Sequence, residues 1–460
     1  MAGKHVQMYK DKLISAEDAA KLVQPGFMID IGLFNGKSVE FVRALADRKE
    51  ELSDIMMLTS VTMPPIPEVL TKDPMGEVFT YMDYHFSPIS RILQEKRPNV
   101  FYNPTQFGES ENWFELKYED PDKIGTRFRD MMVTRATPMD ENGYFNFGLN
   151  NGVTYELLTT SKIAIVETCQ DMPCCYGGTR ERIHISQIDY VIEGGPNSTV
   201  AQMPAAQPTE IDKQIATHVL DHIRDNCTIQ LGIGGMPNAL GRIINETDLK
   251  NLGGHTEMLG EAYMDMIESG KMNNTRKTLD RGKTVYTFAA GSKELYDWMD
   301  RNTSLASYNV EYVNNPLNLA SIDNLISINQ ALEVDLYTQI SAESTGYQQI
   351  SGNGGMLDFV LGSFYSNGGR SIICLPSTHT DKSGNINSNI VPFFNEGTVI
   401  TIPRQSCNII VTEYGWVSLK GDSTWLRAEK IISLAHPMFR DELIKEAQKR
   451  KLWRRTNKIS

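Results

Sequence analysis

The sequence predicts an α/β protein with two similar open α/β domains and mostly parallel sheets. Short apolar stretches with strand character alternate with amphipathic helical stretches along the chain, a pattern typical of parallel sheets covered by helices. One unit, helix–turn–strand–glycine turn–helix, occurs twice, and its second copy starts 194 residues after the first (209 minus 15). A chain of 460 residues is also long for one domain, so internal duplication is the simplest interpretation.

The first copy of this unit opens with a capping-box sequence at 15–18, which predicts the start of a helix. Pro25 and Gly26 end that helix, and a strand is predicted at 27–31. A glycine-containing turn follows at 32–36. The second helix of the unit is predicted at 38–45, because its apolar residues recur at three- and four-residue spacing.

The second copy repeats these signals in the same order. Thr209 opens a capping box, a strand is predicted at 227–231, and a glycine turn at 232–237 leads into a helix at about 239–244. Further strands are predicted from short β-branched or aromatic runs. They are placed at 55–59, 99–101, 131–136, 163–168, 325–328, 371–375, 399–402 and 408–411.

The stretch 194–208 is rich in Gly, Pro and Ala and is the best linker candidate in the chain. We therefore predict a first α/β domain at 1–193 and a second at 209–460. The second domain contains most of the glycine-rich turns and is expected to contain the chemistry.

Composition excludes several classes of function. The net charge of −12 disfavours nucleic acid and anionic membranes as partners. The sequence has no apolar run long enough to span a membrane and no signal-peptide pattern at its start, so a cytoplasmic location is expected. The six cysteines form no CxxC pair and the histidines form no HExxH motif, so no metal site is predicted.

The glycine turn at 232–237 is the most informative short motif. A glycine turn between a strand and a helix exposes backbone N–H groups, which bind anions or a developing oxyanion. Pro237 stands where a dinucleotide-binding GxGxxG motif needs its third glycine, and neither a P-loop nor a GxSxG motif is present. A second turn, Gly253-Gly254, precedes Glu257, which is either a hydrogen-bonded structural acid or a nucleophile.

A series of motifs in order resembles the class I CoA-transferases. The motifs include LGIGGMPNALG, HTEM, ISAESTGYQQISGNGG, VTEYGWVSLKG and, in the first half, ATPMDENGYFNFG and IHISQIDYVIEG. Within this class, the motifs most resemble the acetyl-CoA hydrolase/transferase group. In that group, they most resemble the branch of butyryl-CoA:acetate and 4-hydroxybutyrate CoA-transferases. The similarity covers nearly the whole chain.

The resemblance implies two homologous α/β domains and a ping-pong reaction that moves CoA between an acyl-CoA and a free short-chain carboxylate. It implies that Glu257 is the nucleophile and passes through a glutamyl-CoA thioester. Coenzyme A would be a co-substrate, with no permanently bound cofactor, and a homo-oligomer is expected. The residues that carry over as CoA-binding are Gly232, Ile233, Gly234, Gly235, Met236, Leu332, Gly355 and Lys382, although Lys382 could equally be a solvated loop lysine.

Residues assigned to the oxyanion site or acyl pocket are Asn353, Gly354, Met356 and Cys169. Three positions depart from the family pattern. Cys169 replaces the usual asparagine, Met356 the usual glutamine and Asn389 a common arginine. Loss of polar groups at these positions predicts a different or bulkier acyl group than acetate or butyrate.

Two other functions remain open from the sequence. An acyl-CoA hydrolase would use the same glutamate and differ only in admitting water. A non-catalytic CoA-binding protein would keep the fold without needing Glu257. The sequence does not identify the donor and acceptor acids.

Overall fold

The computed structural model describes residues 2–111 and 129–454. The chain divides into two compact units, Met1–Pro204 with Val285–Val313, and Ala205–Thr284 with Asn314–Ser460. The change at Pro204 lies inside the predicted linker 194–208, but the return of 285–313 to the first unit was not predicted. That return depends on tertiary contacts such as Ser307 N to Tyr176 O at 2.8 Å, which have no local sequence signal. The predicted domain limits stay a prediction, because compactness alone does not define independent folding.

The helices and strands of the described residues are numbered here in chain order. The helices are α1 Ala2–Lys12, α2 Ala16–Lys21, α3 Glu40–Ala46, α4 Glu68–Lys72, α5 Pro88–Lys96, α6 Thr154–Thr160, α7 Glu210–Leu220, α8 Gly235–Glu246, α9 Glu261–Glu268, α10 Lys293–Met299, α11 Val310–Asn314, α12 Pro316–Ala320, α13 Met356–Tyr365, α14 Thr424–Leu434 and α15 Pro437–Lys449. The strands are β1 Met28–Leu33, β2 Ile55–Ser60, β3 Phe79–Asp83, β4 Val100–Tyr102, β5 Met131–Ala136, β6 Tyr144–Asn146, β7 Ile163–Thr168, β8 Arg182–His184, β9 Tyr190–Ile192, β10 Thr228–Leu231, β11 Gly253–Gly254, β12 Met258–Leu259, β13 Thr284–Tyr286, β14 Phe288–Ala289, β15 Leu305–Ser307, β16 Leu325–Gln330, β17 Glu333–Asp335, β18 Ile340–Ser341, β19 Ser344–Thr345, β20 Gln348–Gln349, β21 Arg370–Cys374, β22 Thr378–Thr380, β23 Ile386–Ser388, β24 Ile390–Val391, β25 Ile409–Thr412 and β26 Gly415–Ser418.

The first unit is built on a seven-stranded sheet in the order β4-β3-β2-β1-β5-β7-β9. Each neighbouring pair in this sheet is parallel. The central strand β1 is buried along its whole length, as expected for a strand covered by helices on both faces. A hydrophobic core of residues from β1, β2, β3 and helices α2 and α3 packs on one face.

The second unit contains a six-stranded sheet in the order β11-β10-β16-β21-β25-β26. All pairs are parallel except the last, β25 with β26. A second core surrounds β21, β25 and helices α13, α14 and α15. The predicted α/β class with mostly parallel sheets is therefore confirmed.

Both copies of the predicted helix–strand–turn–helix unit are present, as α2-β1-α3 and α7-β10-α8. The capping residues act as predicted, since Ser15 Oγ accepts from Asp18 N and Thr209 Oγ1 accepts from Asp212 N. Two local predictions were wrong. Helix α8 begins at Gly235, so Met236 and Pro237 lie in its first turn. The stretch 399–402 forms one isolated bridge, Ile340 to Ile402, and no named strand.

Among the described residues, no helix has the length and apolar character needed to cross a membrane.

Candidate active site

Two adjacent parallel strands bring Glu257 and the first glycine turn to the same edge of the second sheet. Strand β11 lies beside β10 in parallel, with Gly254 opposite Ile229. The chain leaves β10 at Gly232 and leaves β11 three residues before Glu257. Because the carboxyl ends of parallel strands meet at one edge, this is the usual place for a ligand site in an open α/β sheet.

Buried polar contacts hold the segment that carries Glu257. Thr256 is fully buried and its Oγ1 donates to Leu231 O at 3.0 Å, which joins the ends of the two strands. The buried Lys277 donates from Nζ to Gly254 O at 2.8 Å and to Lys283 O at 2.7 Å. His255 is also fully buried and its backbone N–H donates to Ile229 O. The position of Glu257 is therefore set by the sheet edge and not by a mobile loop.

The Glu257 side chain meets two donors from distant parts of the second unit. Asn314 Nδ2 donates to Glu257 Oε2 at 2.6 Å, and the backbone N–H of Gly355 donates to the same carboxylate. Gly355 is the N-cap of α13, so the carboxylate lies at the positive end of a ten-residue helix. No other donor to this carboxylate is present among the residues that the structure describes, which leaves lone pairs of an ionised carboxylate unused.

Burial raises the pKa of Glu257 to about 7. The hydrogen bond from Asn314 lowers this pKa, the negative charge of Asp358 raises it, and the Gly355 N–H lowers it. Asp358 is fully buried on α13. A carboxylate that is poorly solvated but still ionised near neutral pH is a stronger nucleophile than one in water.

Gly355 is required at its position by close packing. A methyl group in its place would overlap both Glu257 Oε2 and Asn314 Nδ2. Its φ of −100° is accessible to any residue, so the constraint is the close approach of the carboxylate and not the backbone conformation.

The glycine turn after β10 is open. Gly232 is exposed, and a side chain there would contact nothing within 4 Å. Gly234 has a φ of +124° and is the N-cap of α8, and as a glycine it has no side chain that could cap the helix. Ile233 and Gly235 are half-buried and the Met236 side chain is buried. The start of α8 therefore presents backbone N–H groups that suit an anionic group.

For two of the residues assigned to CoA binding, Leu332 and Lys382, the structure shows no connection to Glu257. The backbone N–H of Leu332 donates to Ser341 O at 2.9 Å, so that donor is already used within the fold. Lys382 is exposed in the turn between β22 and β23. The structure supplies no contact that ties either residue to Glu257, and their roles stay predictions.

Asn353, Gly354 and Met356 lie at the start of α13, next to Gly355 in the sequence, and each has different contacts. Gly354 has a φ of +56° and shapes the turn that delivers Gly355. Met356 N donates to Asn353 O at 3.3 Å, and the Met356 side chain packs in the core with Val360. The methionine that replaces the usual glutamine is therefore a core residue here.

Cys169 belongs to the first unit, where it follows β7 and is fully buried. Its Sγ lies 3.1 Å from Asp171 Oδ1 and 3.0 Å from Ser198 O. Burial raises the pKa of its thiol to about 12, so it is an inert thiol. Asn389, in the second unit, is buried and bonded to Pro376 O at 2.8 Å and to His379.

Sequence reasoning missed Asn314 and Asp358. Asn314 is the last residue of α11, and the Asn-Asn-Pro sequence at 314–316 marks only a helix boundary. Asp358 lies in the first turn of α13, where an acidic residue is common for helix-capping reasons. Nothing local connects either residue to a glutamate more than fifty residues away. No group of three metal-ligating side chains occurs in the described ranges.

Comparison with known proteins places these features in a family. The acetyl-CoA hydrolase/transferase N-terminal domain matches residues 3–204, and the acetyl-CoA hydrolase/transferase C-terminal domain matches residues 291–447. Together they cover more than half of the chain. The chain belongs to the acetyl-CoA hydrolase/transferase family, and the predicted resemblance and enzyme class, a CoA-transferase, are confirmed.

Similar proteins match along their full lengths. A probable butyrate:acetyl-CoA coenzyme A-transferase of Syntrophomonas wolfei is 43% identical, with 100% of both chains covered. A butyryl-CoA:acetate CoA-transferase of Anaerostipes caccae is 42% identical over 98% of this chain and 99% of its own. The crystal structure of RipA from Yersinia pestis superposes with a TM-score of 0.86 at 32% identity, covering 97% of this chain and 99% of that one.

Proposed function

We propose that this enzyme moves CoA between an acyl-CoA and a free short-chain carboxylate, with the Glu257 carboxylate as the nucleophile. The observation that supports this most directly is the environment of Glu257, which is half-buried, oriented by two donors and not saturated by hydrogen bonds. The full-length similarity to proteins named for butyrate and acetate supports the substrate class.

In the proposed first half-reaction, a Glu257 oxygen attacks the thioester carbonyl carbon of the acyl-CoA. The new C–O bond forms as the C–S bond breaks, which gives a mixed anhydride and CoA thiolate. The thiolate then attacks the Glu257 carboxyl carbon, forming a thioester and releasing the first acid as its carboxylate. A second carboxylate reverses these steps, so no thioester energy is lost to water.

Two groups around Glu257 suit this series of reaction steps. The Asn314 amide and the Gly355 N–H fix one face of the carboxylate, which aligns the attacking oxygen. The same donors would stabilise the negative charge that develops on the glutamyl oxygen when the thiolate attacks. The start of α8 at Gly234 and Gly235 offers backbone N–H groups for an anionic part of CoA.

The covalent intermediate is the step that tests this mechanism. The full-length enzyme is incubated with butyryl-CoA without an acceptor acid and then treated with borohydride, and the peptide containing Glu257 is examined by mass spectrometry. We expect a mass change that reports reduction of a glutamyl thioester, and no change in Glu257→Gln. An unmodified peptide in wild type across a series of acyl-CoA donors would contradict the mechanism.

Adding acetate separates transfer from hydrolysis. We expect butyrate release to depend on acetate and to be matched by formation of acetyl-CoA. Equal butyrate release without any acceptor acid would identify the enzyme as a hydrolase that uses the same glutamate. A cytoplasmic location and self-association remain predictions from the sequence.

A further inference from the structure

A cluster of polar side chains in the first unit surrounds the buried residue Glu111. Glu111 is 1% exposed, and Glu156, on α6, is 3% exposed. Arg180 pairs with both carboxylates, since its Nη1 lies 3.0 Å from Glu111 Oε2 and also contacts Glu156 Oε1. Arg180 has a φ of +61°, a backbone conformation that residues other than glycine rarely adopt. Its place between the two carboxylates is therefore fixed by the fold around it.

Glu111 also binds the start of α11. The Asn309 side chain donates from Nδ2 to both Glu111 oxygens at 2.8 Å, and the backbone N–H of Glu311 donates to Glu111 Oε1 at 3.0 Å. The Glu311 side chain forms a further hydrogen bond with Glu111. The Val310 N–H donates to Gly152 O at 3.0 Å, so one backbone contact of α11 is independent of Glu111. The other contacts at the start of this helix depend on the Glu111 carboxyl group.

Helix α11 is too short for its two ends to move independently. It has five residues, and the last of them is Asn314, whose Nδ2 donates to Glu257 Oε2 at 2.6 Å. Because a helix rises 1.5 Å per residue, Glu311 and Asn314 are about 4.5 Å apart along its axis. A displacement at the start of α11 should therefore reach the Asn314 amide with little loss.

Among the described residues, the charges of this cluster do not balance. The carboxyl groups of Glu111, Glu156 and Glu311 are linked by hydrogen bonds and ion pairs, and Arg180 is the cation that pairs with two of them. Adjacent buried carboxyl groups cannot all ionise at neutral pH without a large cost, so one of them keeps a proton. The pKa of Glu111 is raised to about 8, first by burial and then by the negative charge of Glu156, while donors on Glu311 and Asn309 oppose the shift. Glu111 is therefore the group that holds the proton.

We propose that Glu111 is a positioning residue for the reaction, and that its protonated carboxyl group holds the start of α11 where Asn314 can donate to Glu257. When this proton is lost to solvent, Glu111 repels the carboxylates of Glu156 and Glu311, and the start of α11 moves away. The role rests on the proposed function, in which Glu257 is the nucleophile. The contacts of Glu111 can still be followed without turnover, because they lie within the fold.

The pH dependence of transfer from butyryl-CoA to acetate tests this role in the full-length enzyme. From pH 7 to pH 9, protonated Glu111 decreases about tenfold while ionised Glu257 increases about twofold, so kcat of wild type should fall about fivefold. Glu111→Gln imitates the protonated carboxyl group at every pH, because its amide both accepts and donates. This variant should instead show a rise of about twofold over the same range. The matched control is Glu109→Gln, which changes an exposed residue two positions away and should keep the fall seen in wild type.

A double-mutant cycle shows whether Glu111 acts through Asn314. We expect Glu111→Ala to lower kcat at pH 7 by about tenfold, with KM for butyryl-CoA within about twofold of wild type. In the Asn314→Leu background the same change should have almost no further effect, because the contact that Glu111 positions is already absent. Losses that multiply in the double variant would show that Glu111 only stabilises the fold, and would overturn the proposal.

Hydrogen–deuterium exchange separates a failure of this role from a failure of the proposed reaction. The Val313 N–H donates to Asn309 O at 3.2 Å, so its protection reports the closed turn of α11. After correction for the intrinsic exchange rate, this protection should fall as pH rises through about 8 in wild type and stay constant in Glu111→Gln. That pattern without any transfer would contradict the proposed function and leave the Glu111 contacts supported. Protection that does not change with pH in wild type, or that falls equally in Glu111→Gln, would overturn the proposal.

Discussion

Each unit contains a glutamate whose carboxylate lies at the N-terminus of a helix, and the two carboxylates differ in how fully they are hydrogen-bonded. Glu167, in the first unit, is fully buried and accepts from Ser38 Oγ at 2.6 Å, from Ser198 Oγ at 3.1 Å and from the backbone N–H groups of residues 39–41. Glu257, in the second unit, accepts from Asn314 and from the Gly355 N–H.

The difference teaches how one residue type serves two purposes. Five donors occupy the lone pairs of Glu167 and tie α3 to β7, so this carboxylate is structural. Two donors orient Glu257 and leave lone pairs unused, as its proposed role as a nucleophile requires. The two glycine turns differ in the same sense. The turn of the first unit is followed by a helix whose first N–H groups donate to Glu167. The turn at 232–234 leads to a helix whose N-cap, Gly234, has no side chain to cap it.

The largest expected effect comes from removing the sparsely bonded carboxylate. Glu257→Gln keeps the shape of the side chain and removes the proposed nucleophile, so we expect transfer to fall by about 10³-fold or more. The check is steady-state transfer from butyryl-CoA to acetate, with circular dichroism to confirm folding. Activity within tenfold of wild type would contradict the proposed role of Glu257 as the nucleophile.

Gly355→Ala should have the next largest effect, because the added methyl group overlaps both Glu257 Oε2 and Asn314 Nδ2. Displacing the carboxylate by about 1 Å is expected to cost about 10²-fold in kcat. Gly3→Ala serves as the control, since a methyl group there meets nothing within 4 Å. Wild-type kinetics in Gly355→Ala would remove this turn from the site.

Asn314→Leu removes the stronger of the two donors to Glu257. Because the Asn314 hydrogen bond lowers the Glu257 pKa, its loss should move that pKa above about 7. In the proposed mechanism the attacking form is the carboxylate. The rate of the first half-reaction should therefore rise with pH through this pKa, and the rising limb should shift to higher pH in the variant. We expect a loss of about 10–100-fold at pH 6 and a smaller loss at pH 8.5. A uniform loss at all pH values would show that Asn314 acts only by packing.

Glu167→Gln tests the structural half of the comparison. The neutral amide keeps an acceptor oxygen but replaces the other with a donor that faces backbone N–H groups. We expect a loss of about 1–3 kcal/mol in the free energy of unfolding, measured in urea, with kcat within about twofold of wild type. A large loss of kcat in a stably folded variant would show that Glu167 is more than a structural acid.

Lys277 gives a test by pH dependence, because burial lowers its pKa to about 7. An unfolded lysine titrates near 10.4. Between these values the unfolded chain binds the proton and the folded chain does not, so this group makes stability rise with pH from about 7 to 10. In Lys277→Met this contribution is absent. The melting temperature of the variant relative to wild type should therefore be highest near pH 6 and fall towards pH 9, and a constant difference would contradict the assignment.

Local signals in the sequence were enough for most of the framework. Caps at Ser15 and Thr209, and short apolar runs such as those of β5 and β7, predicted elements that the structure contains. The strand predicted at 399–402 was wrong, because an apolar β-branched run forms a strand only if a neighbouring strand offers a free edge. The start of α8 was misplaced because Pro237 is tolerated within the first helical turn, where its missing N–H costs nothing.

By itself, the sequence determined the α/β class, the repeated strand–turn–helix unit and the choice of Glu257 as a candidate, since periodicity, capping and motif order act over short distances along the chain. Only the tertiary structure decided how this carboxylate differs from Glu167. Its donors come from Asn314 and Gly355, which lie 57 and 98 residues away along the chain (314 minus 257 and 355 minus 257), and the burial that raises its pKa exists only after the second unit has packed. Desolvation and the number of available hydrogen-bond donors are properties of the folded protein, so no local pattern of residues could have predicted them.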